Sequence, residues 1–233
     1  MDPNDLGGIV AAIGALGTAS FALVDATKIG RSGGVSNSGF GFIEAAVRPL
    51  FPNARRKSPP PGSEDAAKLL GILHANWING AALADQKAVA KALIKLRLTE
   101  STAARFASAT DVSPKVLTEV AKSMANGTAL TPEQANALGR FDIALTAMLD
   151  EGYQRADQRY RNSAKVLASI AAVLLALAGG WAVAGTSAAS YFGTPFMWKA
   201  LLCGLLAIPL APISKDLTSA LAAGVKVAQA IRK

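Results

Sequence analysis

The single histidine, His74, lies in Leu-Leu-Gly-Ile-Leu-His-Ala-Asn-Trp-Ile-Asn-Gly at 69–80, close to Asn76, Trp77 and Asn79. An imidazole beside amides and an indole could form a small polar-aromatic binding spot. The better reading is a histidine packed at a helix contact. The only cysteine, Cys203, sits in an apolar stretch without a partner. One histidine and one cysteine leave almost no room for a His/Cys metal site or for Cys-His catalysis. There is no phosphate-cradling Gly-rich loop ending in Gly-Lys-Ser/Thr, no His-Glu-x-x-His and no Cys-x-x-Cys. The carboxylates are scattered near basic residues at helical spacing, as on a solvated face. The chain is therefore expected to be non-enzymatic, with no catalytic residue, metal or cofactor. Asn126-Gly127-Thr128 matches a glycosylation sequon, but its expected cytoplasmic position and a helix-stop role for Gly127 argue against its use.

A second kind of chemistry is written in small residues. Gly7, Ala11, Ala15 and Ala19 recur every four positions, and Gly14, Thr18 and Ala22 do so on a neighbouring face. This spacing lets helix backbones approach closely, which is how helices associate in lipid. Gly179 and Gly180, ahead of Trp181, could act in the same way. Oligomerisation through these faces and packing within one chain are both open readings. Asp25 and Lys28, three apart, read as a solvated boundary at the end of an apolar helix.

The elements that carry these residues follow from hydropathy. Of 233 residues, 51% are hydrophobic, and the excess gathers at Leu6 to Val24, Val166 to Gly185 and Pro195 to Ser214. No charged residue lies between Lys165 and Lys199. Crossing about 30 Å of hydrocarbon takes roughly 20 apolar residues. The first two stretches are long enough, and the third becomes so if Lys199 snorkels to the interface beside Trp198. Buried helices of a soluble all-α domain are the competing reading. Acidic residues in Met-Asp-Pro-Asn-Asp, where a secretory leader would be basic, favour a membrane helix over a signal peptide.

The net charge of +8 is unevenly spread: −3 over residues 1–27, +5 over 28–62, +2 over 63–198 and +4 over 199–233. Positive charge thus flanks the apolar segments, the pattern of cytoplasmic loops, and nucleic acid is not expected as a partner. The expected chain is an all-α integral membrane protein of the cell membrane with three transmembrane helices and a cytoplasmic helical bundle. Residues 1–30 hold the first span with the N-terminus outside. Residues 31–62 form a basic Gly/Ser/Pro-rich linker with an interfacial segment around Phe40, Phe42, Ile43, Val47, Leu50 and Phe51. Residues 63–162 form the cytoplasmic domain. Residues 163–214 form a hairpin of spans at about 165–186 and 195–214, and 215–233 an amphipathic cytoplasmic helix. Residues 31–162 and the C-terminus then face the cytoplasm. Beside the bilayer itself, anionic lipid headgroups are expected to meet Arg48, Arg55, Arg56, Lys57, Lys215 and Lys226.

Helix punctuation fills the middle section. Ser63 caps one helix that closes on Asn79 and Gly80; Ser113 and Pro114 open another that stops at Gly127; Thr131-Pro-Glu-Gln134 combines a capping box with an early proline. From there Leu138, Phe141, Leu145, Met148, Gly152, Ala156 and Tyr160 follow one stripe. The helix runs on into the second span or breaks near Gly152 or Asn162. Pro209 and Pro212 read as a hinge where the last span ends and the terminal helix turns away. These features point to a membrane-anchored, oligomeric interaction or scaffold protein with a cytoplasmic protein partner. An oligomeric channel or pore-forming effector and a subunit of a membrane enzyme complex are the alternatives.

Overall fold

A computed structural model describes residues 3–27, 33–51 and 64–211. Among these every regular element is helical. In chain order they are α1 (Pro3–Ala26), a 3-10 turn (Gly34–Ser36), α2 (Asn37–Val47), α3 (Glu64–Ile78), α4 (Leu83–Lys95), α5 (Glu100–Thr110), α6 (Pro114–Asn126), α7 (Pro132–Ala184) and α8 (Ala188–Tyr191). The last is α9 (Pro195–Ala211). They form two compact units, one of residues 36–160 and one that joins residues 1–35 to 161–233.

Local chemistry sets the helix ends of the first unit. At the start of α7 the Gln134 amide donates to Thr131 Oγ1 at 3.2 Å, and the Thr131 amide donates to Gln134 Oε1 at 3.0 Å, a complete capping box. Pro114 fills the first turn of α6, and Gly127 ends it with φ of +67°. That left-handed conformation suits a residue without Cβ. α7 then continues without a break for 53 residues, through Gly152 and Asn162.

The core of this unit gathers one face from each helix: Leu69 and Leu73 of α3, Ile94 of α4, Phe106 of α5, Leu117 and Val120 of α6, and Phe141, Leu145, Leu149 and Tyr153 of α7. Phe106 and Phe141 stack with ring centroids 6.1 Å apart and planes 6° from parallel.

Helix α2 differs from expectation. Of the segment read from sequence as interfacial, Phe40, Ile43, Val47, Leu50 and Phe51 are buried in this core, while Phe42 is exposed. Two glycines explain the packing. A Cβ on Gly39 would collide with the Ala156 carbonyl, and one on Gly152 would lie 2.6 Å from Ala46 Cβ. With no Cβ at either position, α2 and α7 approach backbone to backbone. The proline-rich part of the expected linker, 52–62, and the expected cap Ser63 lie outside the described residues.

Candidate functional site

The second unit is built from the three apolar helices, and its residue usage is unusual. Its interior is made of small side chains: Ala164, Ala168 and Ala172 of α7, Ala207 of α9, with Ile13, Val24 and Ile208 beside them. Gly14, Gly17 and Ser20 of α1 and Gly204 of α9 are buried too. The contacts are close enough to need glycine. A Cβ on Gly17 would lie 2.6 Å from the Ala207 carbonyl oxygen and 2.8 Å from Ala211 Cβ; one on Gly204 would lie 2.7 Å from Val173 Cα. The hydroxyls are satisfied within α1, Ser20 donating to the Leu16 carbonyl at 2.7 Å and Thr18 to the Gly14 carbonyl at 3.0 Å.

The outside carries the large apolar side chains: Val166, Ile170, Leu174 and Val183 on α7, and Leu202, Leu205 and Leu206 on α9. At the turn between these helices Trp181, Phe192, Phe196 and Trp198 are exposed, and Lys199 Nζ sits 5.7 Å from the centre of the Phe196 ring. A core helix of a water-soluble protein buries its apolar residues. Here only 22% of the stretch Ile9–Ala26 and 17% of the most apolar stretch of α7 is buried. Both helices are long and apolar enough to cross a membrane, while α9 is a shorter apolar helix of 17 residues, about 25 Å.

The glycines give a direct expectation. Leucine at Gly204 meets backbone atoms of α7 that cannot rotate away, so Gly204→Leu should weaken the unit by about 1–3 kcal/mol. Gly179 has open space around its Cα, so Gly179→Leu should leave it intact. Thermal melts of the detergent-solubilised chain, followed through the tryptophans, separate the two.

The small-residue positions expected to pack divide sharply. Gly14 is buried, but Ala11, Ala15, Thr18, Ala19 and Ala22 are exposed, and Gly7 falls outside the residues whose surroundings are described. Packing within the chain uses the neighbouring face through Ile13, Gly17, Ser20 and Val24. Gly17 and Gly204 were therefore missed. Both are visible in the sequence, but in helices so rich in glycine and alanine no face stands out. Gly180 is closed by the Tyr191 hydroxyl, 2.5 Å from where its Cβ would be, and by Ala200. Pro209 is exposed on α9, which continues to Ala211. Pro212, Arg55, Arg56, Lys57, Lys215 and Lys226 lie outside the described residues, as does Lys28 beside the exposed Asp25. Arg48 is exposed and 3.7 Å from Glu44.

In the helical bundle, the His74 neighbourhood is a helix contact. His74 Nε2 is 3.0 Å from Asn37 Oδ1 and its ring meets Phe40 edge-on at 4.6 Å. Trp77 Nε1 donates to the Ser36 carbonyl at 2.7 Å. Together they fasten α3 to the start of α2. Tyr153, edge-on to Trp77 with ring centroids 6.4 Å apart, has a buried hydroxyl with no hydrogen-bond partner, and burial pushes its pKa up to about 12.

A cross-helix ladder binds α4 to α7. Lys87 pairs with Asp150 at 2.5 Å, Lys91 with Asp142 and with Thr146 Oγ1 at 3.0 Å, and Lys95 with Asp142 at 2.9 Å. Hydrogen bonds from Lys91 and Lys95 hold the Asp142 carboxyl below the usual carboxylate range. A carboxylate depressed in the folded state stabilises it above the unfolded pKa, and that contribution disappears as pH falls through the folded value. Stability should thus decline below about pH 4, and Asp142→Asn should reduce that decline while lowering neutral-pH stability by about 1 kcal/mol. Far-ultraviolet melts at pH 7 and pH 3 measure both effects.

Among the described residues no group of three His, Cys, Asp or Glu side chains is arranged to hold a metal ion. No family model matches this chain, no curated protein matches its sequence, and no solved structure matches its fold.

Proposed function

We propose that the chain is an integral membrane protein that presents its helical bundle to the cytoplasm as an interaction module. In this reading α1, the end of α7 and α9 are three spans, with the N-terminus outside and residues 31–162 inside. One observation carries it: the apolar unit packs on alanine and glycine and turns leucine, isoleucine, valine and tryptophan outward. Water would penalise that surface by about 25 cal/mol for each Å² of apolar area, whereas hydrocarbon does not. In lipid the drive for helices to associate comes from close packing of small residues. The exposed aromatics at the turn suit the membrane–water interface, and the segmental charge supports the orientation. A scaffolding role, with self-association and a cytosolic protein partner, rests on the capped, close-packed bundle and on the lack of a catalytic set in the sequence.

Alkaline carbonate extraction of membranes from cells expressing the full chain tests the first half. The protein should stay in the pellet; release into the supernatant overturns the reading. Protease added to sealed, cytoplasm-outward vesicles should cleave within 52–63, and protection of that segment would reverse the orientation. Cross-linking in intact membranes followed by mass spectrometry tests the second half. A chain that yields neither self-linked products nor a cytosolic partner is no scaffold, and single-channel conductance from the purified protein would replace that role with a pore.

A further inference from the structure

The inference here rests on the membrane reading above and concerns how thick a bilayer the apolar unit fits. Close contacts set the register of α9 on α7. A Cβ on Gly180 would lie 2.9 Å from Ala200 Cβ, and one on Gly204 would lie 2.7 Å from Val173 Cα. The two helices therefore run antiparallel, and Lys199, one residue before Ala200, stands level with Trp181. Trp181, Trp198 and Lys199 are all exposed, so three side chains suited to the membrane–water interface share one level. At the other end the uncharged stretch of α7 begins after the exposed Lys165. From Lys165 to the level of Trp181 the helix rises about 24 Å. Between these levels the outward side chains are Val166, Ile170 and Leu174 on α7 and Leu202, Leu205 and Leu206 on α9. A typical hydrocarbon core is about 30 Å thick, and helix tilt only shortens the apolar belt along the bilayer normal. Lys199 Nζ leans back toward the turn, 5.7 Å from the centre of the Phe196 ring, and its stem recovers part of the shortfall.

We propose that the outward surface of α7 and α9 is matched to a thin bilayer, so that the protein associates preferentially with phospholipids of short acyl chain. In a thicker bilayer either the lipids around the hairpin compress or Lys199 and the flanking tryptophans are drawn into hydrocarbon. Each response costs free energy that grows with every ångström of mismatch. The position of Lys199 on α9 sets the limit, because the turn before it carries no charge back to Lys165. Membranes with thin hydrocarbon would therefore collect the protein.

The test uses the full chain reconstituted into brominated dioleoyl-phosphatidylcholine mixed with unbrominated dimyristoleoyl-, dioleoyl- or dierucoyl-phosphatidylcholine, whose chains lengthen in that order. Bromine quenches the exposed Trp181 and Trp198, while Trp77, buried in the bundle, contributes a constant signal. The relief of quenching by each competing lipid gives its relative affinity. Dimyristoleoyl-phosphatidylcholine should bind best and dierucoyl-phosphatidylcholine about three- to tenfold less well. Lys199→Leu lengthens the apolar belt and should bring the longest lipid close to the dioleoyl one, whereas Lys199→Arg should keep the wild-type order. Equal affinities for the three lipids, tightest association with either longer one, or a Lys199→Leu profile identical to wild type overturns the thickness match. Protein that does not float with the proteoliposomes sinks the membrane reading itself, and flotation reports that separately.

Discussion

Leu174→Arg should cost membrane integration of the 166–184 segment about 3–4 kcal/mol, on the order of several hundred-fold in the insertion equilibrium. Leu174 is 62% exposed near the middle of this uncharged stretch of α7. In water such a change at an exposed position is nearly neutral, within about 0.5 kcal/mol. The two environments therefore predict effects that differ several-fold for one substitution. Ile143, 71% exposed on the same helix but within the bundle, supplies the control. Ile143→Arg should change neither carbonate resistance nor the melting midpoint. If Leu174→Arg is equally silent, the outward leucines of α7 do not face hydrocarbon.

Phe141→Ala should act on the other unit. Phe141 has no exposed surface and stacks on the equally buried Phe106. Truncating a buried phenylalanine to alanine typically costs about 3–5 kcal/mol, the transfer energy of the ring plus the cavity it leaves. Typical domains have a total stability of about 5–15 kcal/mol, so this loss is a large fraction of what holds the bundle together. Limited proteolysis of the membrane-bound protein should show rapid cleavage within 64–160, while carbonate resistance persists because the apolar surface of α7 and α9 is untouched. A variant as protease-resistant as the parent would show that the stacked pair contributes little to the bundle.

The two variants probe regions that were legible in the sequence to different degrees. Helix ends in the bundle were readable because their signals are local: Thr131 with Gln134, Pro114 at a first turn and Gly127 after a last one each act within a few residues. The long uncharged stretches were readable because composition alone reveals them. The fate of α2 was not. An amphipathic aromatic segment can bury its face in lipid or in protein, and the choice depends on Gly39 and Gly152, far apart in the chain and joined only at the crossing. The ladder from Lys87, Lys91 and Lys95 to Asp142 and Asp150 was hidden for the same reason, since its partners are 47 to 63 residues apart. On α1, small residues populate every side, so four-residue spacing selects Ala11, Ala15 and Ala19 as readily as the Gly17 face that meets α9.

The alanine and glycine interior of the apolar unit also bears on how freely it can form. Ordering a leucine or isoleucine in a core forfeits about 0.5–1 kcal/mol of rotamer entropy, and a methionine more, whereas alanine and glycine have no side-chain rotamers to lose. Ala164, Ala168, Ala172, Ala207, Gly17 and Gly204 therefore bring the helices together with almost no side-chain freedom surrendered. The rotamer-rich residues Leu174, Leu202, Leu205 and Ile170 are on the outside, where no packing fixes their rotamers. Only Ile13, Val24 and Ile208 of the buried cluster give up rotamers, so most of the side-chain freedom of this unit stays on its periphery.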